Sequence, residues 1–335
     1  MKIAVFEAEE RERAAFKKLS AKHNVVFEAE PLRPGMIKHQ DADIITTFIY
    51  SELDADVIRQ FPDLKLIATR STGFEHVDAT SCKARDIAIC NVPFYGSNTV
   101  AEHVFALLLS LSHRMPEAIT RAQSGHFSPF GLQGFDLAGK TFGVIGTGGI
   151  GRNVIRIAKG FDMDVIAFDV FAKDEVAQEM GFRYVTQDEL FAQSDIISLH
   201  VPSMPSTHNL ICDETIAKMK DGAVILNVSR GDLIETGALI KALNVGKIAA
   251  AGLDVLPDEP MIREEALLIN SILSNEDELR TLVTNHVLLR MRNVIVTPHS
   301  AFNTKEAVDR IVATTVDNIA GYLSDTPQNI VSLKG

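Results

Sequence analysis

The sequence predicts an α/β chain built from two parallel-sheet domains. Three observations carry this. Short apolar runs alternate with helical patterns, as expected where crossover helices join parallel strands. A strand, a glycine turn and a helix follow one another over residues 141–152, which read TFGVIGTGGIGR. At 335 residues, of which 46% are hydrophobic, the chain is long enough for about two cores.

The first hundred residues read as a small α/β unit. Strands are expected over residues 2–6, 24–28, 43–47, 64–69 and 87–92. A helix over 53–61 ends at Pro62, which cannot continue it. Residues 98–114 form a long apolar helix, read as carrying the chain from the first domain into the second. Residues 115–140 are glycine-rich and contain Pro116 and Pro129, so they read as an irregular arm.

Further strands are expected over 141–145, 164–169, 182–185, 195–200, 223–228, 249–253 and 293–297, with helices that include 214–220 and 236–243. Residues 261–292 read as one or two inserted helices, taken as a solvated excursion. The last helix, 305–323, is long enough to return and close the first domain. The expected division is 1–100 with 300–335, and 101–299.

Within the glycine turn, Gly146, Gly148 and Gly151 make the pattern G-x-G-x-x-G. The first glycine permits the tight turn and the second lets backbone approach a pyrophosphate. The third lets the helix pack on the strand, and the helix N-terminus faces the phosphate charge. Asp169 ends the next strand, eighteen residues beyond Gly151. An acid there meets the adenine ribose hydroxyls and repels the extra phosphate of NADP, so NAD is the expected cofactor.

Composition narrows the partners. A net charge of −11 argues against nucleic acid and anionic membranes. Three cysteines without a C-x-x-C pair indicate neither a disulfide framework nor a zinc cluster, and no histidine spacing suggests a metal site. The N-terminus turns charged after six residues, and no apolar run approaches a membrane span. A cytoplasmic location is expected.

Three strand ends carry polar residues: Asn227–Gly231 (NVSRG), Asp254–Pro260 (DVLPDEP) and Pro298–Phe302 (PHSAF). Open α/β sheets bind ligands at such ends. Arg230, Glu259 and His299 are therefore candidates to stand beside a nicotinamide. Hydride transfer to a 2-oxo acid needs such a set. A planar guanidinium can hold the carboxylate. An imidazole can protonate the carbonyl oxygen near neutral pH, and a neighbouring carboxylate can fix its tautomer.

These motifs, together with VAEH at 100–103, GFDLAGKTFGVIGTGGIGR at 134–152 and HVP at 200–202, resemble the D-isomer-specific 2-hydroxyacid dehydrogenases over nearly the whole chain. The resemblance implies two doubly wound domains with a cleft between them: a discontinuous flavodoxin-like substrate domain and a Rossmann-like NAD domain. It implies a homodimer acting on a small 2-oxo or 2-hydroxy acid. His299 would be the proton donor, Arg230 the substrate binder and Glu259 the partner of His299. Cofactor contacts would fall on Gly149, Ile150, Asp169, Val201, Pro202, Thr207, Val228, Ser229, Arg230 and Asp254.

Substrate contacts would fall on the amides of Thr72 and Gly73. Within the family the D-lactate dehydrogenase branch matches best, through Tyr50, Tyr95 and Phe302, and that implies pyruvate. Glyoxylate, hydroxypyruvate or a branched 2-oxo acid are the alternatives. An NAD(H)-sensing interaction protein on the same fold is a further one. His103 and His200 read as packing and backbone-ordering residues.

Overall fold

The structure, a computed structural model, describes residues 1–35, 37–257 and 276–332, with residues 276–282 described by backbone alone. The chain forms two compact units, one from Met1–Tyr95 with Asn303–Gly335 and the other from Gly96–Phe302.

The first unit begins β1 (Lys2–Val5), α1 (Glu10–Phe16), β2 (Asn24–Phe27), β3 (Ile44–Thr47) and α2 (Ala55–Arg59). It continues with β4 (Leu66–Thr69), α3 (Ala79–Ala84) and β5 (Ala88–Cys90). The strands pair in parallel in the order β2-β1-β3-β4-β5. β3 and β4 are buried along their whole length, which is why their residues do not alternate between apolar and charged. Phe6, Ile45, Phe61, Ile67 and Ile89 lie in the core of this unit.

α2 is shorter than expected. Asp54 accepts the Val57 amide at 2.7 Å and starts the helix. Leu53, upstream of this cap, donates its amide to the His76 carbonyl at 2.9 Å and bridges Val77. A buried bridge residue just before the cap had extended the apparent helical period.

The second unit begins with α4 (Ser97–Ser112) and α5 (Met115–Gln123). Its sheet region runs β6 (Thr141–Ile145), α6 (Gly149–Gly160), β7 (Asp164–Phe168), α7 (Asp174–Met180), β8 (Arg183–Tyr184), α8 (Gln187–Gln193) and β9 (Ile196–Leu199). It continues α9 (Asp213–Lys218), β10 (Ala223–Asn227), α10 (Thr236–Asn244), β11 (Ile248–Leu253), α11 (Glu276–Arg290) and β12 (Val294–Val296). The parallel sheet has the order β12-β11-β10-β9-β6-β7-β8. Alternate side chains feed two apolar clusters on its two faces: Val144 and Leu226 join one, Ile145 and Ile225 the other.

α4 starts directly after the chain passes from the first unit to the second and lies wholly in the second, with Val104, Phe105 and Leu108 in that unit's core. One expectation changes here. The arm is not irregular throughout, because α5 occupies its start. Pro116 stands in the first turn, where a missing N–H costs nothing, and Glu117 pairs with Arg114 and Arg121. Of the expected insertion, residues 261–275 lie outside the described residues.

The chain ends in α12 (Lys305–Leu323), which starts where Thr304 accepts the Ala307 amide at 3.3 Å. Its buried stripe of Val308, Ile311, Val312 and Ile319 packs on α1 and β4 of the first unit.

Candidate cofactor and active site

The glycine turn between β6 and α6 is shaped by what its residues lack. Gly146 has φ +95°, and a Cβ there would lie 2.5 Å from the His200 carbonyl oxygen. A Cβ on Gly151 would lie 2.0 Å from the Gly146 carbonyl oxygen. These two glycines let β6, α6 and the end of β9 close on one another. Gly148 differs: a Cβ there would meet no atom within 4 Å. Backbone faces open space at this point, next to the N-terminus of a twelve-residue helix that starts at Gly149 with Ile150 behind it.

Asp169 follows β7 and is tied to this turn. Its Oδ2 accepts the Thr147 amide at 2.6 Å and the Thr147 hydroxyl at 2.9 Å, while Oδ1 accepts the Phe171 amide at 2.8 Å. Burial raises the carboxyl's pKa, but these amides and the hydroxyl outweigh it and hold the group below its usual range. Thr147 and Arg152 were not singled out from sequence. Thr147 joins Asp169 to the Tyr184 hydroxyl, and Arg152 Nε donates to the Thr147 carbonyl. Open space over Gly148, helix-start amides and a fixed carboxylate fit the phosphates and ribose of NAD. When bound, that cofactor supplies or accepts hydride.

The segment after β9 lines the same end of the sheet. His200 donates its amide to Ile145, and Val201 and Pro202 follow. Thr207 closes the loop: its hydroxyl donates to the Pro202 carbonyl at 2.7 Å and accepts the Met204 amide at 2.9 Å. The His200 ring lies 2.8 Å from the Ser198 hydroxyl, and burial pushes its pKa down to about 3. It is a neutral structural imidazole.

β10, β11 and β12 are neighbours, so their loops emerge side by side. After β10, Asn227 donates to the Arg230 carbonyl at 2.8 Å and accepts the Ser229 amide at 3.0 Å, and Val228 is buried. The Ser229 hydroxyl donates to Leu199 at 2.7 Å. Gly231 closes this turn onto the next loop, since a Cβ there would lie 2.1 Å from the Leu256 carbonyl carbon. Arg230 is thus held on a braced turn. Glu259 lies outside the described residues.

His299, after β12, has φ +51°, a left-handed conformation that non-glycine residues seldom adopt. Asp254 holds it there. The His299 amide donates to the Asp254 carbonyl at 2.9 Å. Asp254 Oδ1 accepts the Ser300 amide and the Thr297 hydroxyl, and Oδ2 accepts the Ala301 amide. Burial raises this carboxyl's pKa, but His103, Thr297 and the two amides lower it further and keep it charged. The Asp254 side chain is wholly buried. Asp254, an expected cofactor contact, supports the His299 loop in this structure, and that loop ends at Phe302.

The remaining expected substrate residues belong to the first unit. Thr72 donates its hydroxyl to Val92 and accepts the Asn91 side chain, and the Ser71 hydroxyl donates to Gly73. The Tyr50 ring is half exposed, stands edge-on to Phe48, and its amide donates to Glu7 at 3.2 Å. The Tyr95 carbonyl accepts Arg310 Nε at 2.6 Å.

A parallel sheet with this glycine turn and a bonded acid at the end of the next strand defines a dinucleotide-binding domain. Comparison with known proteins gives the family. Residues 105–301 match the model of the D-isomer specific 2-hydroxyacid dehydrogenase NAD-binding domain. The chain belongs to the D-isomer-specific 2-hydroxyacid dehydrogenases, and its cofactor is NAD.

It is 37% identical over 327 residues to a 2-hydroxyacid dehydrogenase homolog of Haemophilus influenzae, covering 95% of each chain. It is 39% identical over 260 residues to the D-lactate dehydrogenase of Escherichia coli, covering 77% of this chain and 75% of that one. It is 36% identical over 283 residues to a glycerate dehydrogenase of Methylorubrum extorquens, covering 83% and 82%. Among solved structures, the pyruvate reductase of Chlamydomonas reinhardtii superposes with TM-score 0.87 at 34% identity, covering 98% of this chain and 97% of that one. Among the described residues no helix is long and apolar enough to cross a membrane.

Proposed function

We propose that the protein reduces pyruvate to D-lactate with NADH, with His299 as proton donor. The carrying observation is the Asp254 clamp, which fixes a histidine in a left-handed conformation on the strand next but one to the turn that bears Arg230. Strain of this kind is kept where surrounding bonds impose it, commonly at functional sites.

In this reading the Arg230 guanidinium and the Thr72 and Gly73 amides hold the substrate carboxylate. Arg230 also polarises the carbonyl. The imidazole of His299 gives its proton to the carbonyl oxygen as the carbonyl carbon receives hydride. One proton and one hydride add across C=O, giving the alcohol and NAD⁺. Glu259 is assigned to His299 as the carboxylate that stabilises its protonated form. The first unit is the substrate domain and the second the NAD domain.

Pyruvate is favoured by the D-lactate dehydrogenase and pyruvate reductase relatives and by the aromatic side chains of Tyr50, Tyr95 and Phe302. The glycerate dehydrogenase relative favours a hydroxylated acid instead. The test is NADH oxidation with pyruvate, glyoxylate, hydroxypyruvate, phenylpyruvate and 2-oxoisocaproate. Pyruvate should have the highest kcat/KM. A preference for hydroxypyruvate or glyoxylate would move the assignment to the second reading.

A homodimer is part of the same proposal. Met115, Ile119, Phe127 and Phe130 are exposed, the last two at 86% and 88%. Exposed apolar side chains of this kind support a protein-contact surface. A second copy of the chain is its assigned occupant, and sedimentation of the wild type against Phe127→Ser/Phe130→Ser tests it. A wild-type monomer would reject it.

A further inference from the structure

His103 was read from sequence as a packing residue of α4. Its surroundings are polar. Nε2 lies 2.9 Å from the Thr297 hydroxyl oxygen and 3.4 Å from Asp254 Oδ1, and the side chain is 20% exposed while that of Asp254 is wholly buried. The Thr297 hydroxyl has one proton, and its geometry directs that proton to Asp254 Oδ1. The same hydroxyl oxygen can then only accept from His103. Nε2 therefore carries a proton, which fixes either the tautomer or the charged form of this ring.

The three residues come from three elements. His103 stands on α4, Asp254 follows β11, and Thr297 follows β12. Their bonds meet at the backbone on both sides of His299. Thr297 lies two residues before it, and the Ser300 and Ala301 amides that Asp254 accepts follow it directly. Losing the His103 donor would free the Thr297 hydroxyl to turn toward other acceptors. One of the contacts that aim the carboxylate would go with it.

We propose that His103 is a positioning residue for proton transfer: its Nε2–H orients the Thr297 hydroxyl, that hydroxyl orients Asp254, and Asp254 fixes the backbone on both sides of His299. The inference rests on the reading of His299 as proton donor. His103 itself touches neither substrate nor cofactor in this account.

The test compares His103→Leu, His103→Gln and His299→Ala in the full-length protein. It follows NADH oxidation with pyruvate, or with whichever acid of the panel above turns over fastest. Leucine keeps bulk without a donor, whereas glutamine can place an N–H near the position of Nε2. His103→Leu should lower kcat about ten- to a hundredfold, the scale of a displaced catalytic group. NADH affinity by fluorescence titration should change less than about twofold. His103→Gln should recover most of the loss.

Thr297→Val should copy the His103→Leu defect, Thr297→Ser should not, and the double variant His103→Leu/Thr297→Val should be no slower than either single one. The threonine pair also decides the matter if His103→Leu fails to fold. Full turnover in His103→Leu, equal loss in Leu and Gln, or additive losses in the double variant would each overturn the proposal. If His299→Ala turned over like wild type, the proton-donor reading itself would fail. Loss in His299→Ala with full turnover in His103→Leu would reject the positioning role alone.

Discussion

The His299 amide donates to the Asp254 carbonyl at 2.9 Å, and the Asp254 carboxylate accepts the next two amides, those of Ser300 and Ala301. Three consecutive donors therefore converge on one residue. That convergence holds His299 at φ +51°. Asp254→Asn tests it. An asparagine would turn its NH₂ toward one of the donors and leave a buried N–H unpaired, a cost of about 1–3 kcal/mol. We expect lower stability in urea and a lower kcat. Unchanged kcat would show that His299 holds its place without this carboxylate.

The glycine turn separates fold from cofactor binding. Gly148→Ala places a methyl in open space and should weaken NADH binding with little change in melting temperature. Gly151→Ala drives a methyl into the Gly146 carbonyl and should lower both. Calorimetry with and without NADH distinguishes the two. Equal loss of stability in both variants would contradict the account.

Asp169 bears on cofactor choice. Its charge is held by the Thr147 and Phe171 amides, so it faces a bound ribose as a carboxylate at neutral pH. Asp169→Ala should raise KM for NADH by about tenfold or more and narrow the NADH-to-NADPH preference. Equal use of NADH and NADPH by the wild type would reject this role.

His200 makes stability depend on pH. Folded, it stays neutral down to about pH 3; unfolded, it takes a proton near pH 6.5. Between those values the unfolded chain binds more protons. Its contribution is complete above about pH 6.5 and is lost as pH falls toward 3, at up to about 1.4 kcal/mol per pH unit. His76, whose pKa burial lowers to about 4, acts in the same direction. Urea midpoints at pH 7.5 and 5.0 should converge in His200→Gln relative to wild type. Identical slopes in the two proteins would contradict the assignment.

Arg230→Lys tests the planar fork. Losing one charge-assisted bond to a carboxylate costs about 1.5–3 kcal/mol, or about ten- to a hundredfold in kcat/KM. Steady-state kinetics with pyruvate measures it, and unchanged kinetics would remove Arg230 from the substrate site.

Much of this was legible before the structure. β6 lies at the expected residues because its run of Phe142, Val144 and Ile145 stops at a glycine with positive φ. α12 likewise matches, since Thr304 caps it and its apolar spacing is regular. The acid at Asp169 could be placed by its distance from the turn. Other features were hidden for physical reasons. Pro116 reads as a breaker, yet a proline in the first turn starts α5.

The support that Asp254 gives the His299 loop was hidden, because sequence does not reveal that its carboxylate is fully enclosed. His103 looked like a packing residue because its partner Thr297 is 194 positions away. Thr147 carried no signal beyond sitting inside the glycine turn.

His299 is proposed to deliver the proton during reduction by NADH. The most direct measurement is kcat of His299→Ala beside wild type, by NADH absorbance with saturating pyruvate, together with NADH affinity. We expect a loss of about a hundredfold or more in kcat, with NADH bound as tightly as before. Turnover near the wild-type rate, with NADH binding intact, would contradict it.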